Sequence, residues 1–217
     1  MKKWLAKKIT RNNIEAFVAK HASDARTLDL GASKAPYAEY FPNRVACDIE
    51  PREGVDVVAD AHDLPFHDNE FESILCTEVL EHLHTPHQAL AEMQRVLKPG
   101  GTLILSTRFV FPIHDAPHDY FRYTEFGLAH LFKDGWTVTS LEPETRNFQT
   151  IAVLLQRIAY QSTFRGGNVT KALVFVVAKL VAKLGWLITA ENGIYDKERV
   201  YECNIFASGY YVVAVKK

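Results

Sequence analysis

Thr27-Leu28-Asp29-Leu30-Gly31-Ala32-Ser33 is the stretch on which the fold turns. Its first four residues read as a short strand with apolar residues at 28 and 30, and Gly31 ends that strand in a turn. A helix is expected to begin near Pro36, since proline is favoured at the first helical position. Outward from this unit the pattern continues. Arg44-Val45-Ala46-Cys47-Asp48 reads as a second strand, Val55-Asp56-Val57-Val58-Ala59 as a third and Ser73-Ile74-Leu75-Cys76-Thr77 as a fourth. A helix is predicted from about Thr85 to Leu97, with Ala89, Leu90, Met93 and Leu97 on one face, and Pro99-Gly100-Gly101 stops it. Thr102-Leu103-Ile104-Leu105-Ser106 reads as a fifth strand. Trp136 to Leu141 and Tyr210 to Val215 read as the last two.

Strands alternating with helical segments predict an α/β fold, Rossmann-like and doubly wound. Its sheet is expected to be seven-stranded and mostly parallel, with an antiparallel last strand and a helical insertion before it. The expected division is a core over 1–145, an insertion over 146–206 and the final strand over 207–217. A chain of 217 residues, 47% hydrophobic and 24% charged, can bury one sizeable core and does not read as disordered. The net charge of −1 gives no concentrated basic surface, so no nucleic-acid partner is expected. Cys47, Cys76 and Cys203 form neither a zinc spacing nor a disulfide framework, and a reducing, cytoplasmic setting is expected. The opening Met1 to Lys8 is basic without the apolar run of a secretory signal, and reads as a solvated helix.

In an open α/β sheet, ligands bind beyond the carboxyl ends of the strands at the switch point. Asp29-Leu30-Gly31 lies there, and Asp48 ends the next strand nineteen residues later. A carboxylate at that spacing suits the two hydroxyls of a ribose. A nucleoside ligand follows, and the spacing alone leaves nicotinamide dinucleotide and S-adenosylmethionine both open. A pyrophosphate-binding loop needs several glycines, yet Ser33, Ala35 and Pro36 stand at those places. A nicotinamide oxidoreductase is disfavoured on that ground.

Residues 27–107 resemble the class I S-adenosylmethionine-dependent methyltransferase family, in particular the branch acting on small molecules and lipid-like substrates. The resemblance rests on six ordered stretches: Leu28 to Ser33, Ala46 to Ile49, Ala59 to Phe66, Asp68 to Ile74, Glu78 to His82, and Glu92 to Gly101. It implies S-adenosyl-L-methionine as cofactor and a role for each matching residue. Asp29, Gly31, Ala32 and Ser33 would shape the turn beside the methionine moiety. Asp48 would bind the ribose and Ile49 pack on the adenine. Asp60 would accept from the adenine amino group and the backbone of Ala61 would touch the ring. Thr77 and Glu78 would lie near the sulfonium. The chain departs from the family's Gly-Cys-Gly-x-Gly turn with Gly31-Ala32-Ser33-Lys34-Ala35, where a positive φ at Ser33 or Ala35 would be strained. A non-catalytic member of the fold, acting as a binding or assembly partner, is the competing reading of that change.

Beyond the fifth strand, Arg108 to Tyr123 is dense in His, Asp, Tyr and Arg, and resembles an element that covers the family's active site. Thr124 would cap the helix that follows, with Glu125 in its first turn. His118 and His82 are candidates for a general base, and His114, Tyr120 and Arg122 for substrate contact, with a purely loop-tying role for His118 or Arg122 as the alternative. No metal is expected, because His62, His67, His82, His84 and His87 fit no zinc spacing. In the insertion, Ile151, Leu154, Leu155 and Ile158 predict an amphipathic helix over 148–162, and a second helix is predicted over 169–188. Lys171, Lys179 and Lys183 share one side of that second helix, and charges interrupt its apolar runs too often for a spanning segment. It reads as a homodimer surface, a lid, or an interfacial helix touching the inner face of a membrane. The expected activity is methyl transfer to a small-molecule or lipid-linked acceptor.

Overall fold

β1 (Thr27–Leu30) is buried along its whole length and runs parallel to both of its neighbours, β2 (Arg44–Asp48) and β4 (Phe71–Thr77). These come from a computed structural model that describes residues 8–34, 36–194 and 200–217. β3 (Val57–Val58) pairs in parallel outside β2, and β5 (Leu97–Arg108) in parallel outside β4. With β6 (Trp136–Pro143) and the late strand β9 (Gly209–Lys216), the sheet order is β3-β2-β1-β4-β5-β9-β6. The sheet is mixed and seven-stranded, as expected for a Rossmann-like domain with an antiparallel last strand. A second, two-stranded sheet pairs β7 (Asn192–Ile194) with β8 (Val200–Glu202), a hairpin the sequence reading did not anticipate.

Several elements differ from expectation, each for a local reason. Among the described residues between β1 and β2 there is a single 3-10 turn, Ala38–Tyr40, and no helix from Pro36. Few residues separate the turn from β2, Pro42 interrupts them, and buried Tyr37 and Phe41 pin the connection. Helix α2 (Pro86–Val96) ends as expected, but Pro99-Gly100-Gly101 lies inside β5 and not in a loop. The register shifts there, from Phe71 opposite Leu97 to Ser73 opposite Thr102, so the glycines accommodate an irregularity in the ladder. The helix predicted within 1–8 falls almost wholly outside the described residues. An unforeseen α1 (Ile9–Lys20) buries Ile14, Phe17 and Val18. α3 (Glu125–Leu131) is capped as predicted, the Thr124 hydroxyl accepting from the Gly127 backbone N–H.

The chain forms two compact units. One comprises Glu15–Arg108, Ile113–Glu142 and Tyr210–Lys217 and carries the large sheet. The other comprises the segment ending at Ile14, Phe109–Pro112 and Pro143–Gly209. In the second unit, α4 (Asn147–Gln161) packs on α5 (Gly167–Ala182), with Tyr160 edge-on to Phe175 at 5.1 Å. The buried face of α4 is Thr150, Ala152, Val153, Gln156 and Ala159, whereas Ile151 and Ile158 of the predicted apolar stripe are exposed. Two polar groups can be buried because they are satisfied. The Thr150 hydroxyl donates to the Phe206 carbonyl, and the Gln156 side-chain oxygen accepts from the Ile9 backbone N–H. α5 ends at Ala182, earlier than predicted, and a 3-10 segment, Lys183–Leu187, continues it.

Candidate functional site

The register of the parallel strands gathers the predicted site at one edge of the sheet. Leu30 lies opposite Cys47 on one side and Cys76 on the other, and Thr77 lies opposite Ser106. Gly31, Asp48, Thr77 and Glu78 therefore emerge together at the carboxyl ends of β1, β2 and β4. This is the switch point, since β1 is flanked by strands reached in opposite directions.

Gly31 takes a left-handed conformation, φ 72°, and its N–H donates to the Cys47 carbonyl at 2.8 Å. A Cβ on residue 31 would lie 2.2 Å from Val79 Cγ2, so a larger residue fits this cradle only by displacing Val79. Ser33, where the family pattern has glycine, holds φ 48°. The anticipated strain is present at Ser33, and one contact compensates it: the Ser33 N–H donates to Asp48 Oδ2 at 2.8 Å. The Glu50 N–H donates to Asp48 Oδ1 at 3.0 Å. The Asp48 carboxylate is thus fixed by two backbone donors while each oxygen keeps a further lone pair. Beside it, Ile49 exposes 68% of its surface, an unusual position for a large aliphatic residue and a suitable face for a flat ring. The expectation for Ala35 lies outside the described residues.

Asp29 is buried 3.7 Å from the Arg44 Nε, and its Oδ2 has no hydrogen-bond partner. Burial, reinforced by the charge of Asp48, pushes its carboxyl up to about 6 against the opposing pull of Arg44. Asp60 is half exposed. Its Oδ1 accepts from the backbone N–H of His62 at 2.9 Å and faces His62 Nδ1 at 2.5 Å. These contacts, the backbone one first, hold the Asp60 carboxyl below its usual range. His62 Nε2 accepts from the Thr85 N–H at 3.3 Å, so Nδ1 carries the ring proton toward Asp60. His62 was not among the predicted site residues. The Asp60-Ala61-His62 spacing is the signal that could have marked it, because a ring two residues on can reach back to a carboxylate. Ala61 is buried next to it.

Glu78 leaves β4 with φ 60° and is clamped there. Its N–H donates to the Ser106 carbonyl at 3.0 Å, the Ser106 hydroxyl donates to Glu78 Oε1 at 2.8 Å, and Arg108 pairs with Oε2. Thr77, just before it, is partly exposed. Neutralisation by Arg108 was not foreseen, and a carboxylate so paired acts as a positioned acceptor more than as a free charge.

The loop after β5 folds back on the turn after β4. The backbone N–H groups of Tyr120 and Phe121 both donate to the Glu81 carbonyl. Arg122 forms a bidentate pair with Asp119, both contacts 2.6 Å, and the His114 N–H donates to Asp119 Oδ2 at 3.0 Å. The Arg122 bonds, first among the causes, draw the Asp119 carboxyl down to about 2. Arg122 is therefore committed to the loop. His118 is exposed, 3.1 Å through Nδ1 from the Tyr120 hydroxyl, and its carbonyl faces His82 Nδ1 at 2.5 Å. His82 and His114 meet edge to face at 4.7 Å. The predicted histidines are brought together, but as a cluster with Glu81, which the sequence reading did not single out. Cys47 and Cys76 are buried with their thiols raised, Cys47 to about 11, and so are not nucleophiles. A separate cavity of about 670 Å³ in the second unit is lined by Glu144, Arg146, Gln149, Glu191 and Cys203 among others, and by none of the predicted site residues.

Comparison with known proteins bears on the fold that carries this site. Residues 28–105 match the family model of a methyltransferase domain. A demethylmenaquinone methyltransferase of Paenarthrobacter aurescens is 37% identical over 102 residues, 41% of this chain and 40% of that protein. The solved [4+2]-cyclase SpnF superposes with a TM-score of 0.57 at 19% identity, over 94% of this chain and 80% of its own. A methyltransferase of Thermotoga maritima, S-adenosylmethionine-dependent, superposes at 0.55 with 16% identity, over 96% and 92%. Residues 28–105 are thus similar to a methyltransferase domain. The cradle at Gly31, the tethered carboxylate of Asp48 and the exposed face of Ile49 fit S-adenosyl-L-methionine, the cofactor such a domain implies. The chain spans about half or less of the length of the curated relatives it matches.

Proposed function

We propose that this protein transfers a methyl group from S-adenosylmethionine to a small-molecule or lipid-linked acceptor. The single observation that carries the reading is the tether between the turn after β1 and the end of β2, where Ser33 and Glu50 hold Asp48 beside the cradle at Gly31. The cofactor, when bound, supplies an activated methyl on a sulfonium. Asp48 accepts from its ribose hydroxyls, Ile49 packs on its adenine, and Asp60, oriented by His62, accepts from the amino group. Gly31, Ala32, Ser33 and Asp29 surround the methionine end. Thr77 and Glu78, with the loop from His114 to Arg122, bound the space where the acceptor enters, and holding acceptor and methyl in line is the main work of such a site.

Two observations favour an apolar or lipid-linked acceptor. The relatives named demethylmenaquinone methyltransferases make a quinone the first acceptor to try. In the second unit, α5 and its continuation expose Val169, Leu173, Val176, Val177, Leu180 and Trp186, an apolar face unusual on a water-facing helix. No helix among the described residues is long and apolar enough to cross a membrane. Contact of residues 169–188 with the inner surface of a membrane, flanked by their lysines, is part of the proposal, and homodimerisation through the same face is the alternative.

Calorimetry with S-adenosylmethionine and S-adenosylhomocysteine tests the core of the reading. Binding of both, followed by transfer of labelled methyl to demethylmenaquinone analogues in anionic vesicles, is the expected result. A folded protein that binds neither overturns it and favours the non-catalytic reading, which the glycine-to-serine change at residue 33 motivates. Cosedimentation with the vesicles supports the membrane contact, whereas a dimer in solution that ignores them replaces it.

A further inference from the structure

Glu81, His82 and His114 bring one potential ligand atom each to within 4.8 Å of one another. Glu81 is wholly buried, and only one of its oxygens is satisfied: Oε2 accepts from the Thr107 hydroxyl at 2.8 Å. Oε1 has no hydrogen-bond partner and lies 3.7 Å from His114 Nε2, too far for a hydrogen bond. A buried carboxylate oxygen with no donor is costly unless something positive meets it. We propose that Glu81 Oε1, His82 Nε2 and His114 Nε2 bind a divalent cation of the first transition row.

The surroundings of both rings suit that role. His82 Nδ1 faces the His118 carbonyl at 2.5 Å, so Nδ1 carries the proton and the lone pair of Nε2 is left for a metal. His114 Nδ1 lies 3.5 Å from Asp119 Oδ2, an ion-pair distance and not a hydrogen bond, and Asp119 is itself locked by Arg122. An outer partner that fixes the tautomer and aims the other nitrogen, as the His118 carbonyl does for His82, is a regular feature of metal-binding histidines. Two imidazoles and one carboxylate select manganese, iron, cobalt or zinc over magnesium or calcium, which prefer all-oxygen shells. Three protein ligands leave coordination positions open to water or to an oxygen of another molecule. Glu81 follows Glu78 by three residues and His114 opens the loop that bounds the proposed acceptor space, which sets the cluster beside that space. The role there rests on the methyltransferase reading: a hydroxyl or phenol oxygen of the acceptor would occupy the open position and be held for methylation. Cation binding itself does not depend on that reading.

The test is a titration of chelator-treated, full-length protein with Co²⁺, followed by its visible absorption, and with Mn²⁺, followed by electron paramagnetic resonance. One equivalent bound is expected. E81Q and H114N should each weaken binding by more than about tenfold, while H87Q, an exposed histidine outside the cluster, should not. If E81Q fails to fold, H114N decides. No binding by the wild type, or binding that folded H114N retains in full, overturns the site. Calorimetry with S-adenosylmethionine in chelator separates the two proposals. Cofactor binding without cation binding rejects the metal site alone, and cation binding without cofactor binding leaves the site standing and rejects its role in methyl transfer.

Discussion

The backbone N–H of Ser33 donates to the Asp48 carboxylate at 2.8 Å, which ties the turn after β1 to the end of β2. The same carboxylate would bind the ribose, so it shapes the pocket and fills a contact in it. Asp48→Ala removes both functions, and the affinity for S-adenosylmethionine should fall by about 1–3 kcal/mol. Asp48→Asn keeps one oxygen acceptor and should lose less. Calorimetry on the two variants checks the order, and equal losses would mean that charge alone matters.

Gly31→Ala should destabilise the domain by about 2–4 kcal/mol, because an added methyl meets Val79 and φ 72° disfavours any L side chain. The double variant with Val79→Ala removes the collision and keeps the backbone penalty. Urea unfolding of both should show partial recovery. An absence of recovery would mean that Val79 is able to move aside.

Asp29 predicts an unusual pH dependence. Its folded carboxyl titrates at about 6, above the ordinary value near 3.9, so the folded state holds that proton more tightly. The contribution to stability is full below about pH 4 and is lost as pH rises through 6. Asp29→Asn should therefore gain on the wild type by up to about 3 kcal/mol between pH 4 and 7. Denaturant titrations at the two pH values measure the difference, and a gap independent of pH would disprove the shift.

Arg122→Met leaves the buried Asp119 carboxylate without its bidentate partner. A loss of about 3 kcal/mol or more is expected, with much of it restored by adding Asp119→Asn. Because the Asp119 carboxyl is depressed to about 2, the wild type draws stability from the pair above about pH 4 and loses it as pH falls toward 2. The double variant should not show that acid loss in thermal melts.

The sheet was legible in the sequence because apolar runs such as Leu28–Leu30 and Ser73–Thr77 are bounded by turns and carry the strand signal within themselves. Asp48 and Glu78 were legible as candidates for a similar reason, since each sits at or just beyond a strand end. What escaped the reading depends on contacts distant in sequence. The face of α4 could not be assigned from Ile151 and Ile158, because Thr150 and Gln156 are buried only through partners at Phe206 and Ile9. Glu81 has no local sign of its surroundings; its neighbours Thr107 and His114 arrive with the next strand and loop. The pairing of Glu78 with Arg108 likewise joins two strand ends thirty residues apart.

The position of β9 between β5 and β6 bears on synthesis at the ribosome. β5 and β6 emerge long before the strand that joins them, with the whole of α4 and α5 translated in the interval. Until residues 209–216 leave the exit tunnel, the growing chain carries an unfilled slot flanked by two open strand edges. Such edges can pair with foreign strands. A nascent chain stalled within the insertion should accordingly bind holding chaperones, and release them once the last strand has been made.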